Sequence, residues 1–254
     1  MIATQKRDYA ALLRGVGVKQ KSRKGTLERI LAILEKEPRG SRVLDVPSGP
    51  GLLSGALAEL GFDVQAADLN SGDFALHGRV PFQPVDLDAA LPFKAGSFDV
   101  VVCSDGIEHL ENQFATFREF ARLLRPGGSI VIATPNYLNI ERRLKFLVTG
   151  SLCTPVERRP DFLSGPKVER GHINPLTLTR MAYMAESAGL ELVDAGTALG
   201  KPKQVFLFPV AAVVAAWSAL LRKEQRERLF ADRTQSLGML MGGKKLIAVF
   251  RKRS

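Results

Sequence analysis

The chain has 254 residues, 45% of them hydrophobic, which is enough to bury a large core. Its 36 Lys and Arg outweigh 26 Asp and Glu for a formal charge of +10, which favours an anionic partner such as nucleic acid, phospholipid or a phosphorylated substrate without naming one. Two cysteines, Cys103 and Cys153, exclude a disulfide framework, and no spacing resembles a zinc site, so a reducing, cytoplasmic setting is expected.

Residues 1–8 are polar and are not expected to be a secretory signal. A helix is predicted over 26–36, with Leu27, Ile30, Leu31, Ile33 and Leu34 on one stripe, closed by Pro38-Arg39-Gly40. Residues 1–40 therefore form an N-terminal helical extension. Val43-Leu44-Asp45-Val46 reads as a first strand feeding a Gly/Pro turn, and Leu52, Leu53, Ala56, Leu57 and Leu60 have helical spacing up to Gly61. Further strands are predicted over 62–67 ending at Asp68, over 82–85 ending at Asp86, and over 98–103. A helix over 114–124 stops at Arg125-Pro126-Gly127-Gly128, and a fifth strand covers 129–133.

Residues 137–171 hold three prolines and little periodicity, which marks an insertion or lid rather than another strand-helix unit. A helix over 175–188, a strand over 190–194 and a last strand over 245–250 follow, with no internal repeat. The expected fold is α/β: a doubly wound, Rossmann-like, mostly parallel seven-stranded sheet with helices on both faces, in one domain with insertions at about 137–172 and 200–240. In such a sheet, ligands bind beyond the carboxyl ends of the strands where strand order reverses, so the strand-end residues are the ones to weigh.

The longest uncharged apolar run, 205–221, contains Pro209 and Trp217 and is flanked by Lys201, Lys203, Arg222 and Lys223. It is short for a spanning helix. Two readings stay open: an insertion packed over the active site or against a partner subunit, and a helix lying on an anionic membrane surface. The basic runs at 19–24, 158–159, 222–228 and 244–253 read as solvated faces, and nucleic acid is the less favoured partner.

The strongest local signal is Asp45-Val46-Pro47-Ser48-Gly49-Pro50-Gly51, a loop between a strand and a helix, where glycine permits close backbone approach and the helix N-terminus offers amides. Ser54 stands where the dinucleotide pattern needs its third glycine, and no Walker-type lysine follows. NAD and nucleoside triphosphates are therefore disfavoured.

With its strand ending in Asp, Gly-rich loop, and later Leu91-Pro92-Phe93-Lys94-Ala95-Gly96-Ser97-Phe98-Asp99 leading into a β-branched strand, the chain resembles class I S-adenosylmethionine-dependent methyltransferases. The likeness runs in element order over 43–250, with some resemblance to quinone-pathway O-methyltransferases. It implies S-adenosyl-L-methionine as cofactor and S-adenosyl-L-homocysteine as product. The implied contacts are Asp45, Val46, Pro47, Ser48, Gly49 and Gly51 around the methionine part and Asp68 with Leu69 at the ribose. Asp86 with Leu87 would meet the adenine amino group, and Ser104 belongs to the same cofactor set. Pro47 departs from the family pattern by removing an amide donor where the first glycine usually stands.

After the fourth strand comes Cys103-Ser104-Asp105-Gly106-Ile107-Glu108-His109-Leu110. If a helix has begun there, Asp105, Glu108 and His109 share a face and could bind a divalent metal, as similarly placed residues are implicated in doing in the quinone-pathway enzymes. A capping or cofactor-loop role explains the same residues, and no metal is assigned. His109 is a candidate general base, His172 its rival, and a structural role for either stays open; His77 shows no useful context. The expected reaction is displacement of the methyl group by an oxygen, nitrogen or carbon of a small-molecule or lipid-linked acceptor. An RNA or protein methyltransferase and a non-catalytic binding protein of the same fold are the alternatives.

Overall fold

The computed structural model describes residues 7–19, 25–152, 171–198 and 202–253. Cys153, the 158–159 basic pair and half of the 137–172 insertion, residues 153–170, lie outside the described residues. Two helices, α1 (Tyr9–Gly15) and α2 (Thr26–Leu34), precede β1 (Arg42–Asp45), α3 (Leu52–Glu59), β2 (Asp63–Asp68) and β3 (Phe82–Pro84). Then come β4 (Phe98–Ser104), α4 (Gln113–Leu123), β5 (Leu124–Pro135), α5 (Ile140–Thr149), α6 (Leu178–Ser187) and β6 (Leu190–Thr197). Four helices, α7 (Phe208–Ala219), α8 (Lys223–Arg228), α9 (Ala231–Thr234) and α10 (Leu237–Leu240), lead to β7 (Lys245–Lys252).

The seven strands form one sheet in the order β3-β2-β1-β4-β5-β7-β6. Strands β1 to β5 are parallel, and β7 runs antiparallel between β5 and β6. Strand order reverses between β1 and β4, so a crevice opens beyond Asp45 and Ser104. Both faces are buried, which is why the central strands read as unbroken apolar runs rather than alternating ones. In β4, Phe98, Val101 and Cys103 pack into the layer holding Phe117, Phe120 and Met181 of α4 and α6, while Val100 and Val102 point to Leu31, Leu53 and Leu57 of α2 and α3.

The structure moves several boundaries. Strand β5 begins at Leu124 rather than after the Arg-Pro-Gly-Gly turn, because Leu124 pairs with Phe98 before a bulge realigns Ser129 with Val100. Helix α6 starts at Leu178 because the Thr177 hydroxyl caps it, accepting from the Arg180 amide at 3.3 Å. The insertion contains a helix that was not expected there: α5 is capped by Asn139, whose side chain accepts from the Glu141 amide at 3.0 Å, and it buries only Ile140.

Candidate active site

The β1–α3 loop is tied to both neighbouring strands: the Ser48 amide donates to the Ala67 carbonyl and the Val46 amide to the Val102 carbonyl, each at 2.9 Å. Beyond it lies a cavity of about 580 Å³, large enough for a nucleoside-sized ligand. Its walls include Asp45, Val46, Pro47, Ser48, Gly49, Asp68, Leu69, Asp86, Leu87 and Ser104, together with Glu108, His109, His172 and Lys245. Gly51 is not part of the lining. It holds a left-handed φ of 91° as α3 begins, and a Cβ there would meet Phe74 at 2.7 Å, so its role is to let the chain enter the helix under that ring.

Ser54, the residue that breaks the dinucleotide pattern, has a partner of its own. Its hydroxyl donates to Asp45 Oδ2 at 2.6 Å. Asp45 is buried, and that burial, reinforced by the nearby Asp68 charge, pushes its carboxyl up to about 7 although the Ser54 hydrogen bonds pull the other way. Asp68 ends β2 with both oxygens engaged: Oδ2 accepts from the Gly49 amide at 2.8 Å and Oδ1 from the Asn70 amide at 3.1 Å. Asp86 Oδ1 accepts from the Asp88 amide at 2.9 Å, and Asp88 Oδ1 in turn accepts from the amides of Glu111 and Asn112 at 3.0 and 3.2 Å. Pro47 follows a cis peptide bond and packs against Gly106, where a Cβ would lie 2.3 Å from the proline Cδ. The glycine on the facing loop thus leaves room for the Pro47 ring.

The segment after β4 does not form the helix that would align Asp105, Glu108 and His109. Asp105 takes a left-handed φ of 60°, its amide donating to the Ala133 carbonyl at 2.8 Å, and only a 3-10 turn follows over Ile107–His109. Asp105 turns toward Lys245 and forms an ion pair with it. The Lys245 ammonium also lies 3.8 Å from Glu108 Oε1. Glu108 is fully buried, burial pushes it up to about 7, and the Thr134 hydroxyl donates to its Oε2 at 3.1 Å. Lys245 was not legible as a site residue, since a lysine opening a strand reads as a solvated end.

The structure brings His109 and His172 together, with ring centroids 5.0 Å apart. His109 Nδ1 lies 2.7 Å from the Gly171 carbonyl, which can only accept, so this nitrogen carries the proton and the lone pair falls on Nε2. Burial holds His109 below its ordinary value, and burial, with His109 and Arg142 nearby, does the same for His172. His172 Nδ1 is 3.1 Å from the Tyr137 hydroxyl. His77 lies elsewhere, against Phe74 and Phe82. Glu108, His109 and His172 also bring one ligating atom each within 4.8 Å of one another. That donor set suits a divalent ion by type, but the adjacent Lys245 ammonium already supplies the local positive charge.

Comparison with known proteins agrees with this geometry. Residues 19–195 match a family described as a methyltransferase domain. A ubiquinone biosynthesis O-methyltransferase of Xanthomonas axonopodis is 39% identical over 118 residues, 43% of this chain and 48% of that protein. One from Cupriavidus pinatubonensis is 28% identical over 163 residues, covering 61% and 62% respectively. The chain thus matches about half the length of the first of these relatives. A solved S-adenosylmethionine-dependent methyltransferase of Mesorhizobium loti shares the fold at a TM-score of 0.56 and 17% identity, over 90% of this chain and 99% of that one. With a family match extending from before α2 into β6, across the whole carboxylate-lined crevice, the chain belongs to the methyltransferase domain family.

Proposed function

We propose that the chain transfers the methyl group of S-adenosylmethionine to a hydroxyl of a small-molecule or lipid-linked acceptor. The observation that carries this reading is the placement in one cavity of three strand-end carboxylates, Asp45, Asp68 and Asp86, with His109 and His172. S-adenosylmethionine supplies a methyl on a cationic sulfur that leaves as S-adenosylhomocysteine, so the protein must chiefly bind, orient and accept a proton. Asp68 accepts from the ribose hydroxyls, Asp86 with Leu87 meets the adenine amino group, and the loop from Val46 to Gly49 with Ser104 borders the methionine part. His109 Nε2, left with the lone pair by the Nδ1 contact to Gly171, is our candidate to take the acceptor's hydroxyl proton, and the Tyr137 hydroxyl meets the neighbouring His172. We assign no metal to the reaction, because Lys245 neutralises the acidic side of the donor set.

Calorimetric titration with S-adenosylmethionine, S-adenosylhomocysteine and NAD tests the reading. Saturable heat with the two adenosyl compounds and none with NAD is expected; silence from all three would favour a binding protein that keeps only the fold.

The affinity for S-adenosylmethionine should also depend on pH through Asp45. A ligand carrying ammonium and sulfonium charges binds the ionised carboxylate better, so binding should strengthen as pH rises through about 7, by at most about tenfold per pH unit for one proton, and Asp45→Asn should flatten the profile. The ligand-free protein should show the opposite trend. A carboxyl raised from 3.8 to about 7 on folding stabilises the fold fully below the lower value and loses that contribution as pH climbs through the upper one. Denaturation midpoints without ligand should therefore fall between pH 5 and pH 8 while affinity rises.

A further inference from the structure

Helix α7 is apolar all round, the pattern of a helix enclosed in a core, yet of its twelve residues only Ala211 is buried. One stripe, with Ala211 and Val214, packs with the preceding Leu207 against Ile140 and Leu144 of α5 and Leu240 of α10. On the other side Val213 is 68% exposed, Trp217 72% and the following Leu220 79%, a stripe at helical spacing with no protein against it among the described residues. The 3-10 turn before α7 adds Phe206, 84% exposed.

We infer that this face of α7 docks on the surface of an anionic phospholipid bilayer. No described helix is long and apolar enough to cross a membrane, and twelve residues span about 18 Å against a hydrocarbon core of about 30 Å. The helix therefore lies along the interface, where an indole with one polar edge is favoured. Charge selects the occupant. The exposed stripe runs directly into Arg222–Arg228, which holds four basic and two acidic residues, and the chain carries +10 overall. Anionic headgroups complement that rim, whereas a second copy would bring the same basic segment against itself.

The docking stands independently of methyl transfer. If the proposed function also holds, it gives a lipid-linked acceptor a short route, because α5, which supports α7, begins three residues after Tyr137, the partner of His172.

Trp217 is the only tryptophan in the chain, so its fluorescence reports on this face alone. The full chain is mixed with vesicles of phosphatidylcholine, or of phosphatidylcholine with phosphatidylglycerol, and Trp217 emission, acrylamide quenching and flotation are followed. Blue-shifted, quench-protected emission and flotation only with the anionic vesicles are expected, weakened by added salt. Val213→Glu, which keeps the reporter, should lower the bound fraction about tenfold or more by setting a charge into the apolar interface. Its retained far-UV circular dichroism and thermal midpoint would show that folding is intact. Three results would overturn the inference: an unchanged Trp217 spectrum with anionic vesicles; a blue shift that grows with protein concentration alone and tracks a dimer in sedimentation; or a Trp217 already shielded in the lipid-free monomer, which would mean that another segment of the chain covers it.

Discussion

Replacing Lys245 with Met is expected to lower the unfolding free energy by about 3–5 kcal/mol, the cost typical of removing one partner from a buried ion pair. Lys245 opens β7 beside Pro135 of β5 and is 8% exposed. Its ammonium pairs with Asp105 and stands 3.8 Å from the fully buried Glu108. Without it, the fully buried Glu108 loses its nearby cation, and the fold must either hold uncompensated charge or take up a proton. The deficit should therefore be larger at pH 8 than at pH 6, because Glu108, already pushed up to about 7 by burial, is neutralised at the lower pH. Adding Glu108→Gln to Lys245→Met should recover part of the loss. Urea denaturation at the two pH values measures all of this, and a change below about 1 kcal/mol at pH 8 would show that the pair behaves as a solvated surface bridge.

Asp68→Ala should weaken S-adenosylmethionine binding by about 1.5–3 kcal/mol, or roughly tenfold to a hundredfold in Kd, the range for hydrogen bonds to a charged group. Two losses combine. The carboxylate would no longer accept from the ribose hydroxyls, and its Oδ2 would no longer hold the Gly49 amide at 2.8 Å, releasing the loop that borders the methionine part. Asp68→Asn separates them, since the amide oxygen can still accept from Gly49 while the charge is gone. If loop anchoring dominates, Asn should restore most of the affinity; if recognition of the two hydroxyls dominates, it should restore little. Calorimetry with S-adenosylhomocysteine gives the same comparison without turnover, and an unchanged Kd in Asp68→Ala would remove this residue from the cofactor set.

Much of the scaffold was legible because its signals are local. The buried strands read as apolar runs, each parallel strand ends where a loop must turn, and Asp45, Asp68 and Asp86 stand at or just beyond those ends. That the β1–α3 loop borders the cavity was legible for the same reason, while Gly51 lies at the helix entry outside the lining. In the sequence Ser54 marks only an absent glycine, because its hydrogen bond to Asp45 depends on how α3 is seated.

Other features depend on contacts far apart in the chain. Helix α5 does carry a period, with Ile140, Leu144, Leu147 and Val148 at helical spacing, but the three prolines of 137–171 point to an irregular insertion, and that Ile140 and Leu144 meet Leu240 and α7 follows only from the fold. Asp105 seemed to share a face with Glu108 and His109 on the assumption of a helix; the left-handed backbone at Asp105 and the short 3-10 turn sent it toward Lys245, 140 residues later, and brought His172 to His109 instead.

The run at 205–221 marks the boundary between the two kinds of information. Its composition determined that the segment is apolar, too short to span a bilayer and flanked by basic residues. Whether its residues were buried could not follow from composition, since an apolar helix is stabilised equally by any apolar surface that meets it. Only the tertiary structure decided that α5 and α10 cover one stripe and leave Trp217 outside, because burial is set by which elements the fold brings alongside, and those elements lie tens of residues away in the chain.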